Sequence, residues 1–241
     1  MKDLPLVTAI MITGMHEVRY GLARIAMECF RRQTYPNREL LIINHGPQSL
    51  ATGESDVREI RIQKKEEETV GDLRNLALDK ARGEFAIVWD DDDWYAPDRI
   101  SVQMAAQSGS GAVALCSQIR YSLISGNAFC IYRKRGIAGT LLHPRGVGIH
   151  YPSMVRGSDT FFLESFGNVT VLNNDPELYI RFYHGLNLWG RRHVMGKYAL
   201  PFLSDRLDLN SAQCKLLTEI IDNNINIYSQ FSKRLRKRTK T

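Results

Sequence analysis

Gly83-Glu84-Phe85-Ala86-Ile87-Val88-Trp89-Asp90-Asp91-Asp92-Asp93-Trp94-Tyr95 is the stretch on which the reading of this chain turns. Phe85 to Trp89 is apolar and partly β-branched, the pattern of a short buried strand. Four consecutive carboxylates follow it directly. Adjacent like charges repel, and burying them without partners is very costly. Something positive has to meet them. Hard oxygen ligands suit a divalent cation, magnesium or manganese, and in open α/β sheets ligands collect beyond the carboxyl ends of the strands. The competing reading is a solvated acidic turn that caps a following helix, with Pro97 in its first turn. The buried strand before the run and the aromatic pair Trp94 and Tyr95 after it favour the metal site.

Upstream, Val7 to Ile12 and Glu39 to Ile43 read as buried strands, and Glu59 to Ile62 as a weaker one. Residues 20–32 form an expected helix with Leu22, Ile25, Ala26, Cys29 and Phe30 on one face. It stops at Gln33-Thr34-Tyr35-Pro36-Asn37, because proline cannot continue a helix. A second helix spans 70–82, with Gly83 as its C-cap. Strand, helix, strand, strand, helix, strand is the order of an α/β fold, a mainly parallel sheet flanked by helices. Downstream the pattern is less regular. A short helix is expected over 98–107, and strands over 112–118 and 128–133 with a hairpin around Ser125-Gly126-Asn127. Residues 133–158 hold many glycines with Arg133, Lys134, Arg135, Arg145 and Arg156, which suggests a mobile basic loop that orders around a negative ligand. A helix over 159–166, strands over 169–172 and 178–183, and an amphipathic helix over 211–223 complete the outline.

The 241 residues suit one large domain or one domain with an extension, and 44% hydrophobic content is enough for a sizeable core. No apolar run approaches the ~20 residues of a membrane-spanning helix, and the N-terminus lacks the pattern of a signal peptide, so a cytoplasmic location is expected. Four widely spaced cysteines without a CxxC pair read as reduced thiols. Much of the net charge of +6 lies in the tail, where Lys233, Arg234, Arg236, Lys237, Arg238 and Lys240 crowd together. Such a tail is either solvated or a peripheral contact with anionic membrane or nucleic acid.

Four features then align in order. They are Gln33-Thr34-Tyr35-Pro36-Asn37 leading into Glu39 to Ile43, and Gly71-Asp72-Leu73-Arg74-Asn75-Leu76-Ala77. Then come Gly83-Glu84-Phe85 ahead of Trp89 to Pro97, and Gly157-Ser158-Asp159. With these the chain resembles family 2 glycosyltransferases of the GT-A fold over about residues 5–165. The resemblance implies a nucleotide-diphosphate sugar donor, a UDP-sugar foremost, with a divalent cation (Mn2+ or Mg2+) and inversion at the anomeric carbon. It implies Asp92 as a metal ligand, Asp90 and Asp91 turned to the donor, and Arg74 paired with an aspartate or the diphosphate. Thr13, Gly14 and Asn44 would border the nucleotide. Asp159 stands where the family often carries Gly-Glu-Asp and would be the general base; otherwise it is a helix N-terminal aspartate. His193, beside Arg191 and Arg192, is a further metal ligand, a phosphate contact or simply structural. Arg145, Arg156 and Arg191 are candidate acceptor or phosphate contacts.

Two segments depart from the family's pattern, the first of them pointing to a different mode of base recognition, the second still letting Thr13 and Gly14 pass the backbone close to a nucleotide. Asn44-His45-Gly46-Pro47 replaces the usual Asp-Asp-Gly-Ser, and Ile12-Thr13-Gly14-Met15-His16 replaces a Pro-Thr-Tyr-Asn type segment. The expected acceptor is a glycan or lipid-linked glycan, or alternatively a hydroxylated base in DNA. Outside this class stand a nucleotidyltransferase, whose lysine-bearing phosphate loop is absent after the first strand, and a non-catalytic nucleotide-sugar-binding module. The expected organisation is a donor-binding half over 1–107, an acceptor-binding half of the same domain over 108–205, and a C-terminal helix with basic tail over 206–241.

Overall fold

The computed structural model describes residues 4–14, 16–109, 111–195 and 206–232. Four parallel strands carry the first half: β1 (Val7–Thr13), β2 (Arg38–Asn44), β3 (Val57–Arg61) and β4 (Phe85–Val88). β1 lies between β2 and β4, in register from Val7 opposite Arg38 to Thr13 opposite Asn44. Side-chain alternation along these strands assigns the two crossover helices to opposite faces. Met11, Leu40 and Ile42 share a core with Leu22, Ala26 and Phe30 of α1 (Arg19–Arg31). Ile10, Leu41 and Ile43 share another with Ala77 and Leu78 of α2 (Val70–Lys80).

Beyond β4 the sheet continues in a way the sequence does not announce. Residues 133–158 are not one long loop. Leu142–Pro144 form β9, an antiparallel strand seated between β4 and β6 (Ala112–Leu115), with β10 (Val169–Leu172) outside β6. Leu142 pairs with both Ile87 and Val113 and is fully buried. Three residues next to a proline and glycines carry too short a pattern to be read as a strand. The strand expected over 112–118 breaks at Cys116, and β7 (Ser117–Ser122) departs into a second sheet. That sheet runs in the order β12 (Arg206–Leu207), β8 (Ala128–Tyr132), β7, β11 (Tyr179–Tyr183), β5 (Trp94–Tyr95). Both sheets thus draw strands from either side of residue 107. The remaining helices are α3 (Arg99–Ala106), α4 (Ser158–Glu164), α5 (Arg191–Val194), α6 (Ser211–Asn223) and α7 (Ile225–Tyr228).

Buried polar side chains lock the segment after the aspartates to this frame. Gln33 donates to the carbonyls of Cys29 (3.1 Å) and Ala96 (2.7 Å) and accepts from the Ile100 amide (3.1 Å). The Thr34 amide donates to the Pro97 carbonyl, and the Tyr35 hydroxyl to that of Pro5. Arg99, fully enclosed, donates to the Val88 carbonyl (3.0 Å) and lies 4.5 Å from the Tyr95 ring centroid. All four cysteines are free. Among the described residues no helix is long and apolar enough to cross a membrane. The basic run from Lys233 to Lys240 lies outside them.

Gln33→Ala would remove three hydrogen bonds to buried backbone groups, of which the Ala96 carbonyl alone keeps a second bond, from the Arg99 amide, so it should cost about 1–3 kcal/mol. Urea denaturation monitored by circular dichroism measures this. An unchanged midpoint would show that the clamp contributes nothing to the fold.

Candidate active-site cleft

The four aspartates leave β4 in a tight turn, and each meets different partners. Asp91 is buried and accepts from Thr13 Oγ1 (2.6 Å) and from Arg19. Arg19 opens α1 and also reaches Asp92 Oδ2 (3.0 Å). The positive charge demanded by the acidic run is thus supplied first by the protein itself. Asp92 Oδ2 accepts in addition from Asn187 Nδ2 (3.1 Å) and His184 Nε2 (3.0 Å). The Leu186 amide donates to His184 Nδ1 (3.3 Å), which leaves the ring proton on Nε2, facing Asp92. Asp93 is buried and accepts from the Tyr179 hydroxyl and the Phe182 amide (3.0 Å). Asp90 is the most open of the four and accepts from Arg74 Nη2 (3.2 Å).

These surroundings separate the carboxyls electrostatically. Burial pushes Asp91 up to about 6 against the pull of Arg19. Burial also acts on Asp92, but Arg19 and His184 outweigh it and hold that carboxyl well below the usual range. Burial together with the neighbouring Asp92 raises Asp93 well above it.

Two motifs bring the far wall of the cleft to the aspartates. Thr69 and Asp72 form a reciprocal cap on α2. Asn75 then clamps the Tyr151 backbone from both sides, donating to its carbonyl and accepting from its amide, each at 2.8 Å. Gly71 is required here, since a Cβ at that position would lie 2.2 Å from the Pro152 carbonyl oxygen. The segment so held leads to Gly157 and into α4, where Asp159 stands on the cleft wall. Its Oδ1 accepts from the Thr160 amide (3.0 Å). Arg74 stacks over the Tyr151 ring at 5.3 Å, between Asp90 and this wall.

The cleft lies at the carboxyl ends of β1 to β4. Ile12, Thr13, His45, Lys64, Val70 and Leu73 border one end, with Arg19, Arg74 and Asp90 to Asp92 at the centre. Val155 to Asp159, Arg181 and Asn187 to Trp189 close the other side. Thr13, Arg74, Asp90, Asp91, Asp92, Arg156 and Asp159, all read as candidates from the sequence, therefore converge. Gly14, at φ +110°, lets its loop run against Gly46, where a Cβ would come within 2.3 Å of the amide nitrogen. Asn44 is fully buried beneath that loop, bonded to Tyr20, Gly46, Gln48 and Glu59, so it shapes the wall without facing the cleft.

Other candidates lie elsewhere. Arg145 is not at the cleft: β9 runs antiparallel to β4 and carries it to the amino end of that strand, where Nε donates to the Gly83 carbonyl (2.7 Å). Arg191 is exposed at the start of α5 and is not part of the cleft wall. The His193 side chain lies outside the described residues, and the histidine that meets the aspartates is His184. Arg19, His184, Asn187 and Arg181 carry no local motif that would have singled them out. For Arg19 the one available signal is the need of a buried acidic run for a cation.

Among the described residues no three His, Cys, Asp or Glu side chains gather into a metal cage. Asp90 Oδ2 and Asp92 Oδ1, however, accept no hydrogen bond from them, and both carboxylates border the cleft. Two carboxylates with open lone pairs fit magnesium or manganese held jointly with substrate phosphates.

Arg19→Met would leave Asp91 buried without its cation, at a cost of about 3–5 kcal/mol. Adding Asp91→Asn should recover part of that loss in urea denaturation. A single variant as stable as the wild type would show that Arg19 does not neutralise the run.

Comparison with known proteins places this geometry. Over residues 19–153 the chain matches the family model described as glycosyl transferase family 2. It is 28% identical over 102 residues to EpsH of Bacillus subtilis, which carries a glycosyltransferase name; the match spans 39% of this chain and 29% of EpsH. Among solved structures, TarS residues 1–349 from S. aureus in complex with UDP-GlcNAc superimposes with TM-score 0.56 at 12% identity, over 75% of this chain and 59% of that one. The mannosyltransferase PcManGT from Pyrobaculum calidifontis, in complex with GDP-Man and Mn2+, gives TM-score 0.52 at 16% identity, over 76% and 57%. The chain thus spans less than two thirds of these relatives' length, and the structures agree with it in the expected GT-A fold. With more than half of its residues inside the family model, the chain belongs to glycosyl transferase family 2.

Proposed function

We propose that this protein transfers a sugar from a nucleotide-diphosphate sugar to a hydroxyl acceptor by a single displacement that inverts the anomeric carbon. The observation that carries the reading is the convergence of Asp90, Asp92, Arg74 and Asp159 in one cleft at the carboxyl ends of β1 to β4. Nucleotide and sugar binding by TarS and PcManGT supports it by analogy of fold.

The donor lies along the cleft with its diphosphate beside the aspartates. Asp90 and Asp92, each with one oxygen free of donors among the described residues, would hold a divalent cation there. When bound there, the cation supplies Lewis-acid stabilisation of the charge that builds on the leaving diphosphate. His184 and Asn187 fix the orientation of Asp92, so its free oxygen is aimed before ligand arrives. On the opposite wall Asp159 takes the proton from the acceptor hydroxyl as its oxygen attacks the anomeric carbon. The bond from that carbon to the diphosphate oxygen breaks on the other face, and the nucleoside diphosphate leaves with the electron pair. The acceptor is read as a glycan or lipid-linked glycan. Arg145, which would have extended a basic track for a polyanion, is fixed at the far end of the sheet.

Thermal melting with UDP, GDP, UDP-GlcNAc and GDP-mannose, each with and without manganese, tests the donor site, since a ligand selective for the folded state raises the melting temperature. At least one should raise it in a manganese-dependent way, and Asp92→Asn should abolish the manganese-dependent part. Asp159→Asn should keep the donor-induced shift while sugar transfer falls by about 10²–10⁴. Melting indifferent to all four ligands, or full transfer by Asp159→Asn, contradicts the proposal.

A further inference from the structure

The arginines at the acidic run are not equivalent. Arg19 serves Asp91 and Asp92, and Arg74 serves Asp90. Arg181 also borders the cleft, yet among the described residues its guanidinium makes no hydrogen bond or ion pair. It is partly buried on β11 in the field of Asp90, Asp92 and Asp93, so it has given up part of its water without a direct hydrogen bond in exchange.

Its placement is fixed by the strand that carries it. Tyr179 and Arg181 are alternate residues of β11 and project from the same face. The Tyr179 hydroxyl and the Phe182 amide both hold Asp93, so β11 is fastened to the acidic run on either side of Arg181. Pairing of Tyr179 with Tyr95 fixes the register of the strand against the segment that follows the aspartates. The guanidinium is therefore a rigidly delivered group at the cleft wall rather than a surface side chain that happens to reach it.

Charge accounting points the same way. The cleft wall carries Arg19, Lys64, Arg74, Arg156 and Arg181 against Asp90, Asp91, Asp92 and Asp159, an excess of one positive charge. Arg19 and Arg74 are already engaged by carboxylates. Lys64 Nζ donates to the Lys65 carbonyl, and exposed Arg156 lies over the Trp189 ring. Among the described residues of this wall, Arg181 is the half-buried, strand-held arginine whose planar fork of donors is open, whereas Arg156 is solvent-exposed. That fork matches two oxygens of a phosphate.

We infer that Arg181 grips the diphosphate of the donor through paired N–H donors and stabilises the charge that collects on it as the sugar departs. The inference rests on the donor-site reading above and adds to it a fixed protein cation for the leaving group. Such a group stabilises the transition state more than the ground state, because the diphosphate gains negative charge as the bond to the sugar breaks.

The test compares wild type, Arg181→Met and Arg181→Lys by calorimetric titration with UDP or GDP, whichever raises the wild-type melting temperature. The matching nucleoside is titrated in parallel. Arg181→Met should weaken diphosphate binding about 10- to 100-fold while nucleoside affinity stays within about two-fold of wild type. Arg181→Lys keeps the charge and loses the fork, so its loss should be intermediate. The ratio of diphosphate to nucleoside affinity is the decisive quantity. If Arg181→Met keeps the wild-type ratio, the inference is overturned while the donor site stands. If wild type binds neither probe, the donor reading itself fails, and the inference with it. Should Arg181→Met melt as an unfolded chain, Arg181→Lys alone decides, with an unchanged ratio again overturning the assignment.

Discussion

One guanidinium shared by two neighbouring carboxylates, Asp91 buried and Asp92 half-buried, is the constraint from which the rest of this structure follows. Arg19 meets Asp91 and Asp92 at once, which ties the start of α1 to the end of β4. Removing either side of such a pair leaves an uncompensated charge in a low-dielectric setting, which costs far more than the intact pair contributes. The pairing also solves a local problem. Four adjacent carboxylates can coexist only if their charges are divided among separate partners. The turn after β4 does this by burying Asp91 and Asp93 among donors, Asp91 at the cleft floor, and leaving one oxygen of Asp90 and of Asp92 open at the cleft. The first pair is enclosed and fully bonded. The second pair keeps one oxygen each without a donor among the described residues.

The same division explains why two sheets meet at this point. β5 follows the aspartates directly and joins the second sheet, and Asp93 binds residues of β11 in that sheet. The acidic run is thus the joint between a mostly parallel sheet that shapes one end of the cleft and a mixed sheet whose strand β11 carries Arg181 and leads into His184 and Asn187. Nearby, Tyr95 stacks on Tyr179 with ring centroids 5.3 Å apart, and Arg99 lies against both rings. Rigid surroundings of this kind let a site hold its charges ready before ligand arrives, which is the condition for electrostatic catalysis.

The parts legible in the sequence are those whose signal is local. β1, β2 and β4 are unbroken apolar runs, and α1 and α2 have clear apolar faces, so their place in an α/β fold follows from periodicity. Gln33 to Asn37 and Gly71 to Ala77 were recognisable as motifs, but what they do is visible only in three dimensions. Gln33 clamps the segment after the aspartates, and Asn75 clamps the one that leads to Asp159. What stayed hidden depends on contacts between distant segments. β9 is three residues long and takes its identity from the neighbours it pairs with. Arg19 lies 72 positions from Asp91 and His184 lies 92 from Asp92, with no spacing rule to connect them. His193 drew notice because arginines stand beside it, whereas His184 follows a buried strand without any flanking signal.

In the proposed site the acidic run divides into a pair that holds the fold, Asp91 and Asp93, and a pair that faces the ligand, Asp90 and Asp92. Manganese binding in the presence of UDP or GDP, followed by electron paramagnetic resonance on wild type, Asp91→Asn and Asp92→Asn, tests it most directly. With folded fractions verified by melting, wild type and Asp91→Asn should bind the ion and Asp92→Asn should not. Manganese retained by Asp92→Asn, or lost only in Asp91→Asn, would contradict the division of the run on which the proposed site depends.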